Sequence, residues 1–255
     1  MENKYLVPAV IRAFSVLEYI AEQGKVGFGE IMSAIDIPRS SLSHILNTLL
    51  HLGYIKQQKG NYVMASKVHE VSHMVLSKMD LRAAALPILR EVAGKVDLSC
   101  NLGAINANEA IYVAKVENKN AFMSMAWVGK RIPLMTSALG KSLLSLLPND
   151  TVEKFLEANP TYQTGAKAVP SKEEFFKELE QVRTLGWATE QNAVTDGISC
   201  ISVPIKNCGE FYAALSVSGD TDYLKNAHLE FIVHELMLAA ARISDALPNR
   251  STPMF

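Results

Sequence analysis

The 255-residue chain has little cysteine, little net charge and no long apolar run, and each shortage excludes a class of protein. Its three cysteines, Cys100, Cys200 and Cys208, are odd in number and have no CxxC spacing, which argues against a disulfide framework and a zinc cluster. Reduced thiols are expected. No stretch reaches the roughly 18 uncharged apolar residues of a membrane helix, and the opening MENKYLVPAVIRAF lacks the continuous apolar segment of a secretory signal. A cytoplasmic protein with no membrane partner is the expectation. Charged residues make up 20% against 49% hydrophobic, which sets aside disordered, collagen-like and coiled-coil chains. A net charge of −1 exerts no global pull on nucleic acid, yet residues 1–78 carry +2 and the remainder −3. That asymmetry has the sign a DNA-binding front end needs.

What is present favours two domains, since single cores rarely grow past roughly 250 residues. Val10, Phe14, Leu17 and Ile20, with Val16, recur at helical spacing and predict a first amphipathic helix that stops at Gly24. A short second helix over Glu30–Ile35, with Ile31, Ala34 and Ile35 inward, runs into Pro38. Pro38 can open a third helix whose apolar stripe is Leu42, Ile45, Leu46, Leu49 and Leu50, ending at Gly53. Tyr54 to Met64 then reads as two short strands around a Lys-Gly-Asn turn. Three helices and a hairpin make a winged helix-turn-helix.

Residues 66–96 read as helix again, with Val68, Val71, Met74 and Val75 on one stripe and Leu81 to Val96 as a second segment. From Ser99 the texture turns to strand: CNLGAIN, AIYVAKVEN and AFMSMAW suggest an antiparallel meander. Helical stretches at about 136–147, 149–158 and 171–185 follow, then the strands CISVPIK and EFYAALSVSG, then a last helix over about 223–245. This order predicts an α+β fold with helices packed on an antiparallel sheet. The expected domains are a winged helix-turn-helix over 1–66, a linker helix over 67–80 and a second domain over 81–248.

In a helix-turn-helix the third helix enters the major groove and its first turns meet base edges. Its polar face here is Arg39, Ser40, Ser41, Ser43, His44 and Asn47. Arg39 suits guanine, Asn47 suits adenine, the serines suit phosphates or less selective base contacts, and Lys56 and Lys59 on the hairpin suit phosphates. Histidine pairs at 44/51 and 69/73 have no clustered carboxylate or cysteine, so no metal or cofactor is expected.

The stretches AVIRAFSVLEYIAEQG and IPRSSLSHILNTLLHLGYI resemble the opening helix and recognition segment of the IclR family of bacterial transcription regulators. Further on, VGKRIPLMTSALGKSLLSLLP, LGWATEQNAVTDGISCISVPI and FYAALSVSG resemble later blocks of the same family, so that the likeness runs from about Pro8 to about Ser244. Ser41 and His44 stand where threonine and arginine are common in the family, and Asn192-Ala193 where a Glu-Glu pair is common. The resemblance implies a GAF/PAS-like effector-binding second domain, a homodimer or homotetramer, and double-stranded operator DNA as partner.

The residues themselves suggest a ligand site in that domain. Thr136 to Lys141 opens a helix with small residues and free backbone donors, which attract anions. Ser216 and Ser218 share one face of a strand among apolar neighbours, as do Cys200 and Ser202, and buried hydroxyls need partners. The resemblance implies a small carboxylate effector held by the backbone at Ala138 and Leu139 and by Glu190, Cys200, Ser216 and Ser218. Glu190 could accept from a hydroxyl on that effector, which favours a hydroxy acid. Met123, Met125, Trp127 and Met135 are candidate walls. The reading is a ligand-responsive regulator, expected to be a repressor that senses a keto, hydroxy, sugar or aromatic acid. The alternatives are a thiol enzyme with Cys200 as nucleophile and His228 or His234 as base, and a DNA-binding protein whose second domain only assembles.

Overall fold

The computed structural model describes residues 6–76, 80–106, 109–118, 126–158, 170–208, 211–226 and 229–247. The chain divides into two compact units, 1–78 and 79–255. Among the described residues, no helix is long and apolar enough to cross a membrane.

In the first unit α1 spans Pro8–Gln23, α2 Phe28–Ala34 and α3 Arg39–His51. Pro8 sits at the start of α1, where its missing N–H costs nothing, and Gly24 ends the helix at φ 74° while donating to Ile20 O. The carboxylate of Glu30 accepts from Gly27 N at 2.6 Å and caps α2 two residues earlier than the apolar pattern predicts. Strands β1 (Ile55–Gln58) and β2 (Asn61–Met64) form the hairpin. Its turn is Lys59–Gly60, both at positive φ (51° and 80°), and Asn61 pairs with Gln58 instead of entering the turn. Val16, Ile20, Ile31, Leu42, Ile45, Leu46, Leu49 and Ile55 build one core. Three expected inward residues are not in it: Val10 and Phe14 are 51% and 60% exposed, and Ala34 is exposed. The three-helix core is closed by the inner stripe of α1 and by Ile37, so these outer positions find no partner within the unit. Helix α4 (Lys67–Leu76) follows, with Val71 and Met74 exposed. The side chain of Val75 lies outside the described residues.

The second unit begins with α5 (Asp80–Val96), β3 (Ser99–Asn106) and β4 (Glu109–Val116). It continues with α6 (Ala138–Ser145), α7 (Asn149–Ala158), α8 (Lys172–Leu185), β5 (Ala188–Gln191), β6 (Ile198–Cys208) and β7 (Phe211–Asp220). Helices α9 (Thr221–Asn226) and α10 (Leu229–Ala246) complete it. The sheet runs β4-β3-β7-β6-β5, antiparallel throughout. Period-two alternation splits its side chains. Leu102, Ile201, Val203, Leu215 and Val217 pack against α5 and α10, whereas Ile105 and Ala214 pack with Leu139, Leu143 and Phe175 of the α6 and α8 side.

Two expectations change here. The expected third meander strand, AFMSMAW, spans 121–127, of which 121–125 lie outside the described residues, while β3 pairs with β4 on one side and with β7 on the other. Strand β5 goes unforeseen, because Ala-Thr-Glu-Gln carries little β propensity and is extended only by pairing with β6. The last helix is two, α9 and α10.

Candidate functional site

The polar face of α3 is built by the same spacing that buries Leu42, Ile45, Leu46 and Leu49. Arg39, Ser40, Ser43, His44 and Asn47 are exposed on the other side, and Ser41 is half-buried. Arg39 holds its guanidinium 5.6 Å from the centre of the Phe28 ring, which steadies the first turn of α3 against α2. Lys56 and Lys59 are exposed on the hairpin. The first unit thus gathers every residue that the sequence nominates for DNA contact onto exposed positions of α3 and the wing, apart from the partial burial of Ser41.

The second site is a cleft of about 580 Å³, mouth included, between the sheet and the start of α6. Strand register makes its wall. Cross-strand pairing places Glu190, Cys200, Ser218 and Ser99 in one row, and Ser202, Ser216, Asn101 and Lys115 in the next. Glu190, Cys200, Ser216 and Ser218 line the cleft, together with Leu139 of α6. Ser202 belongs to the same face, but its hydroxyl donates to Leu215 O at 2.7 Å and it stays out of the lining. The side chain of Ala138 packs on Val182, Ala188 and Cys200.

Helix α6 supplies the donors. Ser137 caps it, accepting from Gly140 N at 2.9 Å and donating to Pro133 O at 2.6 Å. Lys141 N bonds to Ser137 O, so the first-turn N–H groups of Ala138 and Leu139 are the two that helix geometry leaves over. Segment 129–132 lies along β4, with Tyr112 N donating to Lys130 O and Ile132 N to Ala110 O, and it brings Lys130 and Pro133 to the rim. The Lys130 ammonium lies 4.4 Å from the Trp127 ring centre, and burial lowers its pKa. Trp127 itself is 58% exposed and Met135 is buried in the helix-side core, so neither lines this cleft; Met123 and Met125 lie outside the described residues.

The loop from β5 to β6 closes one side with Val194, Thr195 and Ile198. Glu190 Oε2 accepts from Ala193 N at 2.8 Å, and Asn192 Oδ1 accepts from Gly197 N and from the Thr221 hydroxyl, which ties the loop to both the sheet and α9. Asn101, Tyr112 and Thr195 are lining residues that the sequence reading missed, whereas Ser137 falls within the helix start that it singled out. Asn101 had a signal, being a lone amide in the otherwise small and apolar run CNLGA.

The thiols are held neutral. Burial, and then the neighbouring Glu190 carboxylate, push Cys200 well above the ordinary value near 9, and burial alone lifts Cys100 and Cys208 to about 12. Burial likewise raises the Tyr112 phenol. His234 is exposed on α10, which packs on the sheet face opposite the cleft, and His228 lies outside the described residues. A folded pKa above the unfolded one contributes stability that is complete below about pH 9 and lost as pH climbs toward 12. The urea midpoint is expected to fall steadily from pH 8.5 to 11. Iodoacetamide at pH 7.5 should label all three thiols slowly in the folded chain and quickly in urea. Rapid labelling of Cys200 in the folded protein would contradict this description.

Two family models match the chain: the IclR helix-turn-helix domain over residues 9–59, and the C-terminal model of bacterial transcriptional regulator IclR over 73–245. The HTH-type transcriptional regulator KdgR of Escherichia coli is 27% identical over 250 residues, covering 97% of this chain and 95% of its own. The HTH-type transcriptional repressor AllR of the same organism is 27% identical over 251 residues, covering 96% and 92%. A solved IclR homolog from Microbacterium hydrocarbonoxydans, complexed with 4-hydroxybenzoate, aligns with a TM-score of 0.78 at 23% identity over 94% of this chain and 98% of that one.

Proposed function

This chain belongs to the IclR family of bacterial transcriptional regulators, and on that premise we propose that it is a cytoplasmic repressor released from operator DNA by a small organic acid. Residues 1–66 hold the DNA, 67–80 link, and 81–248 sense the acid. The observation that carries the reading is the cleft itself: the start of α6, with Ser137 and Leu139 in the lining, stands across from a sheet wall bearing Ser216, Ser218, Cys200 and Glu190. Free N–H groups at a helix start, with hydroxyls opposite, suit a carboxylate. The relative complexed with 4-hydroxybenzoate lends support to an acid, and the relative named as a repressor lends support to the sign of control.

On the DNA side, Arg39, Ser40, Ser41, Ser43, His44 and Asn47 read the groove while Lys56 and Lys59 neutralise phosphates. Homodimers or homotetramers present two such helices to a two-fold operator. The exposed apolar side chains Val7, Val10, Ile11 and Phe14 on and just before α1 support assembly, since isolated monomers rarely display such a row.

The test begins with a duplex that the protein selects from a random pool, followed by fluorescence anisotropy with keto, hydroxy, sugar and aromatic acids. At least one acid is expected to release the duplex while raising the melting temperature of the free protein. Arg39→Ala should weaken binding to the selected duplex by about 1–3 kcal/mol and relax selectivity at one base pair. Unaltered affinity would remove Arg39 from the interface.

A further inference from the structure

The cleft brings donors at the start of α6 together with an acceptor on the sheet that is not yet used. At the helix end the leftover groups are donors, the N–H of Ala138 and of Leu139. At the sheet end stands Asn101, 2% exposed, on the central strand β3 and paired across the ladder with Ser216. Its Nδ2 donates to Ser218 Oγ at 3.3 Å, which spends one end of the amide, and among the described residues its Oδ1 has no partner. A buried amide oxygen without a donor is unfavourable, and native structures rarely keep one without a use. Both Asn101 and Ser218 line the cleft, so a ligand lying against this wall meets an acceptor that lacks a donor. Nearby, Glu190 adds a carboxyl group whose Oε2 is already engaged by Ala193 N.

On the acid-sensing reading, we propose that Asn101 is a specificity-determining residue that selects an acid carrying a hydroxyl group over the same acid with a keto group or a hydrogen at that position. The carboxylate lies at the start of α6, and the hydroxyl donates to Asn101 Oδ1. A keto oxygen there sets acceptor against acceptor, and a C–H leaves the amide oxygen as it is. A site built to bond a hydroxyl discriminates through the buried group that the wrong ligand leaves unpaired.

The experiment is calorimetric titration of the full chain with matched sets: glycolate, glyoxylate and acetate; lactate, pyruvate and propionate; 4-hydroxybenzoate and benzoate. In at least one set the hydroxylated member is expected to bind about ten-fold or more tighter than its partners. Asn101→Leu, close in volume, should erase that preference, read as the ratio of affinities within each set. Acids that bind with no hydroxyl preference in the unaltered protein, or a preference that survives in Asn101→Leu, overturn the role of Asn101 and leave acid sensing standing. Because the first of these outcomes needs no variant, it holds even if Asn101→Leu fails to fold. If no acid in any set binds, the acid-sensing reading itself falls, and the proposal with it.

Discussion

Gly140→Ala is expected to destabilise the C-terminal unit by about 2–3 kcal/mol, a large effect for one methyl group. A Cβ at Gly140 would lie 2.5 Å from both Cα and O of Leu134 and 2.6 Å from Pro133 O. These are backbone atoms, so no rotamer change can relieve the contact. Helix α6 must withdraw from segment 133–134, and with it Ser137 and the donors of Ala138 and Leu139 leave their places against the sheet. Affinity for the acid should fall along with stability. Gly94→Ala in the last turn of α5 is the control, because its Cβ meets nothing within 4 Å and a glycine in a helix gains from alanine. Urea unfolding should move the two variants in opposite directions. Equal midpoints would mean that α6 tolerates a looser seat against segment 133–134.

The double variant Ser216→Ala with Ser218→Ala should abolish release of DNA by acid without altering DNA affinity. Each hydroxyl is almost fully buried, at 3% and 4% exposure, and both line the cleft. A hydrogen bond to an ionised group is worth about 1.5–3 kcal/mol, so losing two costs the acid about 100-fold or more in affinity. Alanine keeps the strand and its pairing, because the ladder bonds of β7 belong to the backbone. Anisotropy with the selected duplex, with and without acid, separates the outcomes. If operator binding fails together with the acid response, these serines are structural and the cleft is not the sensor.

Residues close together in the chain were legible in advance. The three helices and hairpin of the first unit follow from local rules: apolar spacing of three and four, Gly24 and Pro38 as punctuation, and a Lys-Gly turn. The polar side of α3 is simply the complement of its buried stripe. Burial was less legible where partners are remote, as the exposed Val10 and Phe14 demonstrate. Periodicity names a face without saying what covers it.

The cleft divides along the same line. That α6 begins with a serine cap and leaves two amides free is written in Thr-Ser-Ala-Leu-Gly-Lys, because capping involves residues three apart. Paired hydroxyls at 216 and 218 follow from strand alternation. By contrast, Asn101 meets Ser218 across 117 residues of chain, and Glu190 meets Cys200 only because a four-residue strand finds the edge of β6. Register decides these meetings, and register depends on the packing of two sheet faces against helices from distant parts of the chain. The sequence by itself therefore determined most of the elements, the polar face of α3 and the chemical types that line the cleft. The tertiary structure decided which of those types stand together and which buried acceptor still lacks its donor, because cross-strand pairing is a property of the packed sheet.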